Sequence, residues 1–403
     1  MSKSIAYFLD SDHALLFLGQ KAAFRAEKEN DLDDLQRFLD EHPHSYKVVA
    51  LSYDLKNKID RLHSDNVDLI DFPSFIVWEP EMVWRKNAGN WQCLSAENEK
   101  IAESIRNSLE DQLFDAHDGE LPNIAFQAGE TKEEYLNSIA AVQREIQYGN
   151  TYEVNYCQTF FAKNIPDFNA ETLVQKLFQL TQAPFSAYVK FDEFELFCAS
   201  PERFLKKEGE KLISQPIKGT IARGKTSEED EKLKQTLVQS TKDQAENVMI
   251  VDLVRNDLSK IAKKGTVKVE ELAGIHSFNT VHHLISTIAC QVRKTITFTD
   301  ILRATFPMGS MTGAPKISTM EISEREEKFQ RGWYSGSVGY IAPNNDFDLN
   351  VVIRSFVKNN LRKTISCSVG GAITTRSVAE EEYRECQTKV KKILELFGRQ
   401  DAI

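Results

Sequence analysis

The sequence predicts an α+β protein with large, mostly antiparallel sheets and helices packed outside them. Three observations carry that expectation. Short apolar runs of strand length recur along the whole chain, several pairs of them are separated only by short polar turns, and the helical stretches are fewer and open on capping signals. With 403 residues, 41% of them hydrophobic, the chain can bury a large core.

From Met1 to about Gly129 the strands SIAYFLD, YKVVALSYD and FPSFIVWEP interleave with a helix around LDDLQRFLDEH. The expected division is an N-terminal α+β region, residues 1–125, packing on the part formed by residues 126–400. At Thr131 the run T-K-E-E forms a capping box, and Tyr135, Ile139, Val142 and Ile146 recur at helical spacing up to Gly149. The strand YEVNYCQTFF follows. FSAYVKF and FELFCAS make a hairpin about Asp192-Glu193, and RFLKK and KLISQPI another about Glu208-Gly209. One long helix is expected from Ser227, with Asp230 in the capping-box position, toward Ser259. Strands VKVEEL and TVHHLISTIACQV lead to the loop and helix FPMGSMTGAPKISTMEIS. A meander of SGSVGYI, FDLNVVIRSFV and TISCSVGGAI turns at Asn344-Asn345 and Asn359-Asn360, and a last helix is expected to be capped by Ser377 with Glu380 three residues on.

Composition excludes several function classes. Sixty acidic against 50 basic residues give a formal charge of −10, so no overall field draws nucleic acid, and an anionic ligand needs local cations or a metal. The apolar stretches are strand-sized and Met1 leads into no secretion signal, so the expectation is a cytoplasmic protein without membrane contact. Cys93, Cys157, Cys198, Cys290, Cys367 and Cys386 form no CxxC pair and no zinc spacing with His. They read as reduced, mostly core-filling thiols.

Four constellations could carry chemistry. Asp243 and Glu246 share one helix face, as do Glu382 and Glu385 on the last helix. Such pairs are either solvated surface or, if the two faces meet, an oxygen-rich cage suited to Mg²⁺. Lys218 ends an alternating strand before Gly219-Thr220, a step that lets backbone approach a ligand and offers amide and hydroxyl donors. Beside a metal or in an apolar pocket this lysine would lose its proton more readily and become a nucleophile. His282 and His283 point to opposite sides of a strand, one a structural histidine and the other a candidate catalytic group. Arg354, inside VVIRSFV, holds either a protein acid or an anionic ligand. The loop GSMTGAPK lacks an adjacent Gly-Lys-Ser/Thr, so Lys316 takes no phosphate-binding role.

In this order and at this spacing, YEVNYCQ, SPERFL, QPIKGT, AENVMIVDLVRNDL, VHHLISTI, FPMGSMTGAPK, RGWYSGSVGYI, NVVIRS and EEYRECQTK resemble the chorismate-utilising enzyme family over roughly residues 125 to 397. The resemblance implies the anthranilate synthase component I-like fold, two large antiparallel sheets packed together with helices outside. Within the family PIKGT marks the branch that makes 4-amino-4-deoxychorismate, and PIAGT the anthranilate branch. Position by position, it implies Mg²⁺ on Glu246 and Glu385, with Asp243 and Glu382 reaching it directly or through water. Gly219, Thr220 and Lys389 would place the ring carboxylate of chorismate; Tyr334, Arg354 and the backbone near Gly370 would hold the enolpyruvyl side. Glu202 would be the general acid, Lys218 the nucleophile, and His283 the active-site histidine. Two positions depart from the pattern: Glu153 stands where aminating members usually carry Gln and water-activating members Lys, and Ala372 replaces a glycine of A-G-x-G. TQAPFSAYV resembles half of a tryptophan-binding pocket. With no GxCxG motif in the sequence, the resemblance implies ammonia from a separate glutamine amidotransferase subunit. The alternatives are the anthranilate-forming reaction and an inactive scaffold for a glutaminase.

Overall fold

The computed structural model describes residues 4–10, 13–27, 29–96, 100, 103–104 and 119–400. Among these, two antiparallel sheets of eleven and ten strands form the frame. The first runs from Gly313–Ala314 through Glu153–Lys163, Thr364–Ile373, Ser355–Asn359, Phe194–Ser200, Phe185–Phe191, Ser4–Asp10, His13–Leu18 and Met82–Asn87 to Asn90–Ser95. Gln127–Ala128 also pairs with Glu153–Lys163. The second runs from Ile217–Ala222 through Val281–Gln291, Lys211–Gln215, Arg203–Glu208, Phe347–Val351, Ser337–Ile341, Lys47–Leu51 and Phe75–Glu79 to Ala22–Arg25. Lys268–Ser277 lies along Val281–Gln291.

Period-two alternation makes this a layered molecule, because central strands bury both faces. On Ser4–Asp10, Ile5 and Tyr7 face the helices while Ala6 and Phe8 face the other sheet; on Lys47–Leu51, Val48 and Ala50 face inward to the same seam while Val49 and Leu51 face out. The seam between the sheets holds Phe17, Trp78, Val189, Trp333 and Val357. Helices Lys132–Gln147, Ala170–Thr181 and Ala379–Leu394 cover the outside of the first sheet. Helices Leu32–Glu41, Thr241–Ser259 and Phe298–Thr305 cover the second.

The Thr131 capping box is present, with Thr131 accepting from the Glu134 amide and Glu134 from the Thr131 amide. Four local expectations are corrected. The long helix from Ser227 is two helices, Ser227–Gln239 and Thr241–Ser259, because the Ser240 hydroxyl accepts from the Asp243 amide and starts a new helix. Its first cap is Thr226, and Asp230 instead accepts from Arg223 and the Gly224 amide. The last helix starts at Ala379 after Val378; Ser377 donates back to the Ala372 carbonyl and accepts from the Thr374 amide. FDLNVVIRSFV is not one strand but two, Phe347–Val351 in the second sheet and Ser355–Asn359 in the first. Strands from residues 4–95 are hydrogen-bonded into both sheets.

Candidate active site

The chain passes from one sheet to the other at two adjoining places, and each passage delivers a charged side chain. Pro201 and Glu202 lie between Phe194–Ser200 and Arg203–Glu208; Arg354 lies on the return between Phe347–Val351 and Ser355–Asn359. The passages are bonded to each other, Val351 N to the Glu202 carbonyl at 3.1 Å and Ala199 N to the Arg354 carbonyl at 3.3 Å. Arg354 adopts a left-handed backbone, φ 52°, which the surrounding bonds enforce. Beside them opens a cavity of about 630 Å³, a size that suits a small ring substrate.

Glu202 is 5% exposed and accepts from Ser310 Oγ at 2.6 Å. Burial pushes its pKa up to about 7 against the opposing pull of Ser310, Lys218 and Arg354, so it can carry a proton at neutral pH. The Arg354 guanidinium makes no hydrogen bond or ion pair with the described residues; burial lowers its pKa and only the Coulomb field of Glu202 opposes that. The first of the two sequence readings, an internal ion pair with a protein acid, is therefore not made with the described residues.

Lys218 and Glu153 face each other across the seam, Nζ to Oε1 at 2.6 Å. Lys218 comes from the edge strand of the second sheet, Glu153 from near the edge of the first. Burial favours a neutral amine, but Glu153, Glu246 and Glu202 outweigh it and hold the Lys218 pKa above its ordinary value. The sequence expectation of a more readily deprotonated lysine is thus corrected: a buried carboxylate answers its charge. Glu153, 1% exposed, lies behind Lys218 and does not line the cavity.

His283 lines the cavity with Nδ1 2.8 Å from Thr220 Oγ1, and burial, then Arg354, pull its pKa down to about 3, leaving a neutral ring. His282 is structural, held between Asp230 and Ser277. Gly219 has φ +89°, and a Cβ there would stand 3.1 Å from Asp243 Cβ, so glycine brings this strand against the helix that carries the carboxylates. Tyr334, Gly370 and Lys389 line the same cavity, with Lys389 Nζ bonded to the Gly370 carbonyl at 3.1 Å and Glu385 at 2.7 Å. Ala372 is there too. Lys316 instead bonds Asp257 and the carbonyls of Thr305 and Pro307. TQAPFSAYV supplies Phe185 and Ser186 to a separate cavity of about 350 Å³.

Asp243, Glu246, Glu382 and Glu385 all reach the cavity, so the two helix faces do meet. Among the described residues no three His, Cys, Asp or Glu side chains are clustered closely enough to hold a metal as they stand. The donors nevertheless fit a hard cation such as Mg²⁺: Glu246 Oε1 is buried without a hydrogen-bond partner, and burial pushes its pKa up to about 7. Lys242, which the sequence reading did not single out, puts its Nζ 3.2 Å from Glu382 and 4.0 Å from Glu246. A divalent ion between these carboxylates would displace that ammonium.

Sequence reasoning also missed Ser310 and Arg331. Ser310 sits inside the quoted FPMGSMTGAPK, but its link to Glu202 spans 108 residues and leaves no local trace. Arg331, in RGWYSGSVGYI, forms a buried two-pronged pair with Glu327 and donates to the carbonyls of Met311 and Asn155, clamping the Ser310 turn to the Glu153 strand. Its signal was an arginine and a glutamate at i,i+4 flanked by aromatic residues.

Two crossings between the sheets thus bring Glu202 and Arg354, and an edge strand brings Lys218, into one carboxylate-rimmed cavity. The chain belongs to the chorismate binding enzyme family, whose model matches residues 5–395. It is 39% identical over 286 residues to aminodeoxychorismate synthase component 1 of Escherichia coli (strain K12), covering 71% of this chain and 62% of that one. It is 43% identical over 277 residues to the probable chloroplastic aminodeoxychorismate synthase of Oryza sativa subsp. japonica, covering 67% of this chain and 30% of the relative. The chain thus spans about a third to three fifths of these curated relatives. In fold it is similar to anthranilate synthase component I from Streptococcus pneumoniae TIGR4, with a TM-score of 0.82 at 22% identity over 95% of this chain and 92% of that one. The menaquinone-specific isochorismate synthase MenF of Escherichia coli superposes with a TM-score of 0.77 at 20% identity, over 98% and 89% of the two chains.

Proposed function

We propose that this chain aminates chorismate at ring carbon C4, with ammonia and in dependence on Mg²⁺, to give 4-amino-4-deoxychorismate for 4-aminobenzoate and folate synthesis. The observation that carries the reading is Lys218, a buried amine in the cavity wall beside a protonatable Glu202 and an unpaired Arg354. The relatives named aminodeoxychorismate synthase support the substrate and the reaction.

Arg354 meets a carboxylate on the enolpyruvyl side, with Tyr334 and the Gly370 backbone beside it. Gly219, Thr220 and Lys389 orient the ring carboxylate, which sets the ring between Lys218 and Glu202. Lys218 attacks C2, the ring double bonds shift, and Glu202 gives its proton to the C4 hydroxyl, which leaves as water. Ammonia then adds at C4, the double bonds shift back and the lysine departs. Neutral His283 acts as a hydrogen-bonding group, since an imidazole held near pKa 3 carries no useful proton at pH 7. Glu246 and Glu385 would hold Mg²⁺, with Asp243 and Glu382 directly or through water; bound there, it supplies withdrawal of negative charge through the ring carboxylate. The ammonia comes from a glutamine amidotransferase outside this sequence, in keeping with E. coli and other relatives named as component 1. Free thiols at all six cysteines suit a reducing, cytoplasmic setting.

Incubation with chorismate, ammonium and Mg²⁺, with mass identification of the product, tests this. The expected product is 4-amino-4-deoxychorismate, lost on chelation of the metal and slowed by about a hundredfold or more in Lys218→Ala. Fluorescent anthranilate with released pyruvate, or a Lys218→Ala variant at the wild-type rate, would overturn it.

A further inference from the structure

Glu153 is placed by the fold with unusual definition. Its strand pairs with Gly313–Ala314, and a Cβ on Gly313 would sit 2.0 Å from the Glu153 carbonyl, so the loop before the helix Lys316–Glu326 lies directly on this residue. Its Oε1 contacts Lys218 Nζ at 2.6 Å; its Oε2 is buried with no hydrogen-bond partner. The carboxylate therefore has one partner for its charge among the described residues, and half of it is unsatisfied, a costly state for an anion in the interior. Lys218 has a matching difficulty. Its amine lines the cavity, yet an ammonium has no lone pair to attack with, and at 8% exposure solvent offers little route for the proton. Glu246 and Glu202 act on it through space, but neither comes within ion-pair distance; Glu153 does.

We propose that Glu153 is the positioning carboxylate of Lys218 and its proton acceptor: it takes one proton from Nζ as the amine bonds to substrate and returns it when the lysine departs. The proposal rests on the amination reading above. One proton passes from the ammonium to Glu153 Oε1, and the freed lone pair forms the bond from Nζ to C2. The C4–O bond breaks with its electron pair, and the hydroxyl takes the Glu202 proton and leaves as water. The adduct nitrogen keeps two hydrogens and a positive charge. When ammonia bonds to C4, the bond from C2 to Nζ breaks and its electron pair returns to Nζ. Glu153 then hands its proton back to the lysine, and the new C4 ammonium gives one to Glu202, which restores both groups. A glutamine at this position could accept the hydrogen bond from Lys218 but could not carry the proton.

Glu153→Gln and Glu153→Asp separate these roles. Expected for Glu153→Gln is unchanged product, KM for chorismate within about threefold of wild type, and kcat at pH 7 lower by about a hundredfold or more, with the deficit against wild type at the same pH shrinking about tenfold per pH unit above 7 as the neutral fraction of Lys218 grows. Glu153→Asp, which keeps a proton-accepting carboxylate, is expected to recover kcat to within about tenfold of wild type. A Glu153→Gln enzyme with wild-type kcat and pH profile, or two variants equally impaired through KM, would overturn the proposal. If the wild-type enzyme itself forms no 4-amino-4-deoxychorismate, the functional reading fails instead, and that control is run first.

Discussion

Glu202 depends on a balance between burial, which favours its acid form, and the Ser310 hydroxyl, which donates to its ionised form and pulls the pKa back. A general acid must be protonated to act, so turnover is expected to fall as pH rises through about 7. Ser310→Ala removes a donor to the anion, raising the Glu202 pKa further and moving that descending limb upward by about one pH unit, since a hydrogen bond to a charged group contributes about 1.5–3 kcal/mol. A kcat profile between pH 6 and 9 on both proteins checks this; a limb that stays in place or moves down contradicts it. Lys218 shows the opposite balance, with burial overcome by the carboxylates that face it. Two groups of the site are thereby protonated near neutrality for different physical reasons.

At the scale of elements, what holds these groups in register is a set of clamps between segments distant in sequence. Arg331 and Glu327 lie four residues apart just beyond the helix Lys316–Glu326 and are both buried, and the guanidinium reaches the backbones of the Gly309–Met311 turn and of Asn155. Removing the cation leaves Glu327 buried without its partner. Arg331→Ala is expected to destabilise the protein by about 3–5 kcal/mol. Replacing both residues by apolar ones of similar size should return most of that stability while activity stays low, because the Ser310 turn loses its anchor. Denaturant unfolding of the single and double variants measures the first effect, and chorismate turnover the second. The Ser240 break between Ser227–Gln239 and Thr241–Ser259 works on the same scale: it starts the second helix at the place where Asp243 and Glu246 meet the cavity.

For the whole molecule, residues 4–95 are part of the frame rather than an attachment to it. They supply Ser4–Asp10, His13–Leu18, Met82–Asn87 and Asn90–Ser95 to the first sheet, and Lys47–Leu51, Phe75–Glu79 and Ala22–Arg25 to the second. A fragment of residues 126–400 would expose Phe185–Phe191 and Ser337–Ile341 as unpaired edges and open the seam where Phe8, Phe17, Val48 and Trp78 lie. Such a fragment is expected to aggregate and to show no cooperative melting transition, as size-exclusion chromatography and calorimetry would reveal; a monomeric fragment that melts cooperatively would contradict it. The described helices include none long and apolar enough to cross a membrane.

By itself the sequence determined the α+β class, the position of most strands, the Thr131 cap and the side chains that meet in the cavity, because alternation, capping and motif order are local patterns that survive in one dimension. It placed Glu202, Lys218, Glu246 and Arg354 on the right segments without showing what each would touch. Only the tertiary structure decided that FDLNVVIRSFV splits between two sheets, that Arg354 pairs with no acid among the described residues, and that Glu153 faces Lys218. These depend on contacts between segments tens to hundreds of residues apart, where burial and partner charge set protonation, and neither quantity is written in a local run of residues.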